Sequence, residues 1–232
     1  MELLDFQQKL KIMQKINLAK KTTYFKKLDE QDFNAIMHCL QGRIQEYHQG
    51  DIIVRAGTKV THAYLILTGE ARSYYINKLG MELINLDFSK GHMFGLKDII
   101  SQNRDYQEDL KVISDECTVL ILDSFRLINP SMNRCKRHIE LMKACFYEIG
   151  RQNKELEFNK LLLSLPKTSD KVMALLKRIS EKKKVKDFTI PYNRNELAIF
   201  LGVERSALSY ELSKLKKEGK IDYKLNHFTL LD

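Results

Sequence analysis

The sequence predicts an α+β chain: an N-terminal antiparallel sandwich or barrel, then one long amphipathic helix, then a small helical domain that closes on a β-hairpin. Three observations predict it. Short β-rich runs between Gly42 and Leu122 are punctuated by glycines every ~7 to 12 residues. An apolar repeat with a period near 3.5 residues runs from Cys135 to Leu163. The stretch GVERSALSYELSKLKKEGKI, Gly202 to Ile221, joins a glycine turn to a basic helix with leucines at helical spacing.

Composition sets the limits. The chain has 232 residues, 44% hydrophobic and 30% charged, which suits a soluble globular protein with a real core. No apolar run approaches the ~20 residues of a membrane span. The opening MELLDFQQKLKIMQKI alternates apolar and charged residues, unlike the unbroken core of a signal peptide. A cytoplasmic protein with no membrane partner is expected. Cys39, Cys117, Cys135 and Cys145 are scattered with no CxxC pair, so packing is the expected role of the thiols, and no cofactor is expected. Net charge is +9, unevenly placed: residues 160–232 hold 16 Lys/Arg against 9 Asp/Glu, while the rest hold 23 against 21. The positive field lies on the last third, as a part that meets a polyanion requires.

Leu3, Leu4, Phe6, Leu10, Met13 and Ile16 share one helical face, and Asp29 starts a second helix through Ile36 and Leu40. From Gly42 the pattern turns to strands at Ile52–Val54, Ala63–Leu67, Ala71–Ile76, Leu83–Leu86 and Cys117–Leu122, with Gly50, Gly57, Gly69, Gly80, Gly91 and Gly95 between them. A parallel sheet would need helical crossovers for which there is no room. From Pro130 to Leu163, Ile139, Met142, Phe146, Ile149, Asn153 and Leu156 follow alternating steps of four and three. That is the seam of a coiled coil, with Asn153 a polar register-setter and Lys160 a flaw, and it predicts a homodimer. Pro166 breaks the pattern, so Ser164–Pro166 reads as a hinge. Three parts follow: 1–129, 130–163 and 164–232.

In the last part a helix over Lys167–Ser180 precedes a charged loop, Glu181–Asp187, and a short extended piece, Phe188–Pro191. Arg194–Leu201 is a short helix, Gly202–Glu204 a turn and Arg205–Glu218 a second helix. Leu197, Ala198, Leu201, Val203 and Leu208 stand where two helices crossing over a short turn need a shared core. Ile221–Tyr223 and His227–Leu231 form a hairpin around Lys224–Asn226. Helix-turn-helix, wing and local positive charge together point to duplex DNA. Leu208, Leu212 and Leu215 anchor the second helix, while Arg205, Ser206, Ser209 and Tyr210 project from its N-terminal half, the part that reaches base edges in a major groove. Arg205 suits the O6 and N7 of a guanine. Lys214, Lys216 and Lys217 suit phosphates.

The order of these parts, with GDIIVRAGTKVTHAYLILTGEARSYY and GVERSALSYELSKLKKEGKI, resembles the cyclic-AMP receptor protein and fumarate-nitrate regulator (Crp/Fnr) family of bacterial transcription factors over nearly the whole chain. The resemblance implies a cyclic-nucleotide-binding-like β-roll, a dimerisation helix and a winged helix-turn-helix. It implies a homodimer on a near-palindromic operator, DNA affinity controlled through the β-roll by a small-molecule effector of unknown identity, and RNA polymerase as a partner. The chain departs from the cyclic-AMP-binding members. Their ribose-binding glutamate corresponds to Leu96, and their phosphate-binding Arg-Ser pair falls near Gln107–Glu108, where a carboxylate would repel a phosphate. Arg104 is the nearby cation. The redox members' cysteine cluster is reduced to Cys39 in IMHCL, in a helix ahead of the β-roll. His48, His62, His92 and Cys117 are the β-roll's candidate haem ligands, and none belongs to a ligand-like cluster. In the recognition helix, Ser206 and Tyr210 replace the glutamate and second arginine common in that family.

Two other readings compete. One is an effector-binding module of the same fold whose basic C-terminal domain docks on a protein. The other is an enzyme, against which stands the lack of a phosphate-binding glycine loop, HExxH, GxSxG or a clustered acid/base pair.

Overall fold

The computed structural model describes residues 14–78, 80–129 and 138–231. The apolar positions expected at Leu3 to Met13, the start of the long helix at Pro130 and the first seam position, Cys135, lie outside them. The chain divides into two compact units, Met1–Asn153 and Lys154–Asp232.

In the first unit, residues 14–20 are helical, and a second helix, Glu30–Cys39, begins where Asp29 predicts it. The Asp29 carboxylate accepts a hydrogen bond from the backbone N–H of Asp32 at 2.8 Å, which satisfies one of the orphan donors of the first turn. Phe33, Ile36 and Leu40 are buried at the expected three- and four-residue spacing.

Eight strands follow: β1 Arg43–His48, β2 Ile52–Val54, β3 His62–Thr68, β4 Glu70–Ile76, β5 Glu82–Ser89, β6 Met93–Phe94, β7 Asp109–Val112 and β8 Glu116–Asp123. They form two four-stranded antiparallel sheets, ordered β1-β8-β3-β6 and β2-β7-β4-β5. The runs in β3 and β8 are nearly continuous in apolar residues because that sheet is covered on both faces. Ala63, Leu65, Leu67, Leu120 and Leu122 join the core shared with the helices. The alternate residues Ile66, Val119 and Ile121 are buried as well, and by the strand's two-residue period they face the other way. The turn between β3 and β4 shows why glycine is needed: Gly69 has φ +76°, and a Cβ there would stand 2.1 Å from the Glu116 carbonyl oxygen.

A short helix, Ser124–Ile128, leaves the β-roll. The long helix, His138–Ser164, then carries one edge into the first unit's core through Leu141 and Cys145. Beside them His138 Nε2 lies 2.7 Å from the Leu127 carbonyl oxygen. Gln152 Nε2 donates to the Met93 carbonyl at 2.8 Å, and the Met93 N–H donates to Glu148 at 3.3 Å, so the helix grips both polar groups of one residue in β6. These buried polar residues fall on the same arc as Leu141 and Cys145.

The second unit starts inside this helix. Glu155 receives hydrogen bonds from Lys182 at 2.7 Å and Arg178 at 3.2 Å, and the Arg178 guanidinium lies 4.0 Å from the centre of the Phe158 ring. These contacts join the end of the long helix to the next helix, Thr168–Lys183. The expected hinge at Ser164–Pro166 therefore lies within the second unit rather than between the units. A second difference lies at the other end of that helix. The expected loop Glu181–Asp187 is helical as far as Lys183, with Lys182 paired to Glu155 from the last turn, and Lys184 ends the helix at φ +57°.

Of the described thiols, Cys117 and Cys145 are buried core side chains and Cys39 is half-buried. Burial pushes the Cys117 thiol up to about 11, and burial beside the Glu148 carboxylate pushes Cys145 up to about 12. A thiol raised in the folded state favours folding below its unfolded value and loses that contribution as pH rises towards its folded value. Labelling of Cys117 and Cys145 by a thiol reagent at mildly alkaline pH should proceed at the rate of global opening; stoichiometric reaction of both in the native protein within mixing time would contradict this packing. Gly69→Ala should lower the melting temperature of the first unit by several degrees, from the left-handed backbone and the clash with Glu116.

Candidate nucleic-acid interface

The second unit builds one exposed helix on a buried frame. The first helix of the helix-turn-helix pair, Arg194–Leu201, opens with a capping box: Asn193 Oδ1 accepts from the N–H groups of Asn195 and Glu196 at 2.9 and 3.0 Å, and Glu196 Oε2 accepts from the Asn193 N–H at 2.8 Å. The helix closes at Gly202, φ +60°, whose missing Cβ would stand 3.2 Å from a Leu163 methyl. Lys171, buried in the preceding helix, donates from Nζ to the Leu201 carbonyl at 3.0 Å and satisfies that helix end. The turn is thus held from both sides.

The second helix, Arg205–Lys217, buries Leu208, Leu212 and Leu215 and exposes most of what lies between them. Arg205, Ser206, Ser209, Tyr210 and Lys214 all stand in solvent, Tyr210 with 68% of its surface exposed. These five DNA-contact candidates, and Lys216 and Lys217 with them, therefore lie on the exposed side of one helix. The hydroxyls of Ser209 and Ser213 donate to the carbonyls of Arg205 and Ser209 at 2.9 and 3.0 Å, which leaves their lone pairs turned outward as acceptors. Glu204 is the N-cap, yet its side chain makes no capping bond, and the first turn contains no acidic residue. Arg205 thus places a fixed positive charge at the positive end of the helix dipole, where helix stability alone disfavours it. An anion in front of this helix end reverses that penalty.

The wing consists of β9 Asp187–Thr189, β10 Ile221–Lys224 and β11 His227–Leu230, paired in the order β10-β11-β9. Arg194 lies over the rings of Tyr223, at 4.8 Å, and Phe228, at 5.5 Å, so it ties the first helix to the wing; burial lowers its pKa. Lys216 pairs with Asp222 and so serves the wing as well as the helix face. Arg194, Lys171 and the Glu155–Arg178–Lys182 contacts were not singled out by sequence. The Asn193–Glu196 spacing was a legible capping signal, but a cation stacked on aromatics about 30 residues along has none.

In the β-roll, Leu96 is buried among apolar residues. Glu108 is buried, paired with Lys97 and bound by Asn85 Nδ2 at 2.8 Å, while Gln107 and Arg104 are exposed. Arg72, fully buried, holds Asp87 through Nε at 2.6 Å and through a second nitrogen at 3.2 Å. His48 is exposed, His62 contacts Thr61, His92 contacts Ser89 and Cys117 is buried. Among the described residues no group of three His, Cys, Asp or Glu side chains could hold a metal ion, and no helix is long and apolar enough to cross a membrane.

Residues 44–129 match the family model of the cyclic nucleotide-binding domain, and residues 162–232 match that of the Crp-like helix-turn-helix domain. The fold is similar to that of FixK2 from Bradyrhizobium japonicum (TM-score 0.67, 18% identity, covering 82% of this chain and 93% of that one). It is similar to the c-di-GMP responsive global regulator CLP of Xanthomonas campestris (0.72, 15%, 85% and 98%). It is also similar to a CRP-family transcriptional regulator from Thermus thermophilus (0.62, 17%, 81% and 92%). At these identities the likeness is one of fold. No curated protein matches the chain.

Asn193→Ala, which removes both side-chain bonds of the capping box, should cost about 1 kcal/mol of the second unit's stability in chemical denaturation. Gly202→Ala should cost about as much or more, from the left-handed backbone and the Leu163 contact. Neither loss would appear if the turn were loosely held.

Proposed function

Because the chain belongs to the Crp/Fnr family, as a DNA-binding transcription regulator and not an enzyme, we propose that it acts as a homodimer on a near-palindromic operator, under the control of its β-roll domain. The observation that carries this reading is the exposed N-terminal half of helix Arg205–Lys217: a polar, cationic surface held rigidly by three buried leucines and serving no stabilising role of its own. Arg205 is the base reader, with Ser206, Ser209 and Tyr210 contacting bases or phosphates and Lys214 contacting phosphate.

The homodimer is supported by the partly exposed edge of the long helix, although Ile149 also packs against the first unit's core. Ile139 and Phe146 are 58% and 61% exposed, Met142, Ile149 and Leu156 are half-buried, and Asn153 is exposed in the same stripe. Apolar side chains in register on an open helix edge suit a copy of the same helix. Two protomers would then present two recognition helices about 34 Å apart. Family membership supports RNA polymerase as a partner and the cytoplasm as the location. Buried Glu108, paired with the half-buried Lys97, and Leu96 argue against a cyclic nucleotide as the effector, since a carboxylate replaces the phosphate-binding cation and an apolar side chain the ribose acceptor.

Titrating a mixed-sequence duplex at several salt concentrations tests the DNA reading. Affinity should fall steeply with salt, Lys214→Ala should reduce the log–log slope by about one, and Arg205→Ala should remove about 1–3 kcal/mol of preference between duplexes. A chain indifferent to duplex DNA at low salt would favour the protein-docking alternative. Sedimentation tests the dimer: Phe146→Asp should yield a folded monomer from a dimeric wild type, and a monomeric wild type would remove this part of the proposal.

A further inference from the structure

The first unit contains a cavity of about 770 Å3 between the N-terminal helix, helix Glu30–Cys39 and β1, within the ordinary range of small-molecule sites, about 300–1,000 Å3. Ile16, Phe33, Met37 and Ile44 give it apolar walls, and Lys15 and Arg126 add charge. Lys15 is already neutralised by Glu46 at 2.7 Å. Arg126 is not. One of its terminal nitrogens donates to the Cys39 carbonyl at 3.1 Å, its backbone N–H donates to Asp123, and no carboxylate pairs with the guanidinium among the described residues. The group is half-buried, tethered at one corner and open at the others.

We infer that this cavity is the effector site of the regulator proposed above, and that it takes a small amphiphile with an apolar tail and a carboxylate head. A wholly polar anion would leave the apolar walls against water, and a wholly apolar ligand would cover the guanidinium without pairing it. A carboxylate at Arg126 with a hydrocarbon tail along Phe33, Met37 and Ile44 satisfies both surfaces, and the guanidinium fork suits a carboxylate geometrically. Most of the walls precede residue 44, while Ile44, Glu46 and Arg126 lie inside the segment matched to the cyclic nucleotide-binding domain.

Its position explains how occupancy would reach DNA. Phe33 belongs to the same core as Leu141 and Cys145 of the long helix, and Ile16, Met37 and Ile44 pack against that core. A ligand that shifts Phe33 changes the packing under the helix bearing the dimer edge, and differential affinity for two such packings is what moves a population.

Octanoate titrated into the full-length protein by calorimetry, with octanol as the neutral analogue, tests this inference. The wild type should bind octanoate saturably, one per chain. Octanol, and octanoate with Arg126→Gln, should bind about tenfold more weakly. Asn34→Trp, which fills the cavity from an exposed position on its wall, should abolish binding while leaving ligand-free duplex binding unchanged. Octanoate should shift the duplex affinity of the wild type but not of Asn34→Trp. Absence of saturable binding, or equal binding by either variant, would overturn the site even if duplex binding persists. Octanoate binding with this variant pattern in a chain that ignores duplex DNA would uphold the site and remove the regulator reading instead.

Discussion

The long helix must satisfy two environments on neighbouring arcs, and the rest of the structure depends on how it divides them. Leu141, Cys145, Glu148 and Gln152 are buried against the β-roll, with Glu148 and Gln152 clasping the Met93 backbone. An apolar stripe from Ile139 to Leu156 remains beside them, open at Ile139 and Phe146 and half-buried at Met142, Ile149 and Leu156. Both arcs belong to one helix of 27 residues. The same helix continues into the second unit, where Glu155, Phe158 and Leu162 belong to the DNA-binding part. Burial raises the Glu155 carboxyl, but its bonds to Lys182 and Arg178 more than offset this and hold it below its usual range, so it is charged and paired at neutral pH.

At the other end of the chain, function is read from what stability leaves unexplained. Three leucines suffice to anchor helix Arg205–Lys217, with an arginine on Tyr223 and Phe228 fastening the wing behind it. Nothing in that arrangement requires Arg205 at an uncapped helix start or Tyr210 in solvent. Residues that cost their own domain something, yet stand together on one exposed edge, are best explained by the surface they meet.

The sequence disclosed the fold where local patterns carry it. Asp29, Arg194, Gly202 and Arg205 marked helix ends that the structure reproduces within a residue, because caps and left-handed glycines are local chemistry. The strongest β-runs appeared because β3 and β8 are buried on both faces. Strands β1, β6 and β7 were missed. RIQEYH in β1 alternates only weakly at a sheet edge, Met93–Phe94 is two residues long, and Asp109–Val112 is interrupted by the half-buried stem of Lys111. The exposed DNA-facing residues were legible because they follow from one helix and its periodicity. The Arg126 cavity and the Glu155–Arg178–Lys182 junction were not, because each joins residues tens of positions apart.

Selection of binding sites from a random duplex pool at low salt, with the purified full-length chain, tests the central claim most directly. The account predicts an inverted repeat with a guanine in each half-site and half-site centres one helical turn apart, about 10 base pairs or a multiple of it. Enrichment of a single unpaired half-site would contradict the dimer, and enrichment of no sequence at all, with or without cell extract, would contradict sequence-specific DNA recognition by this helix.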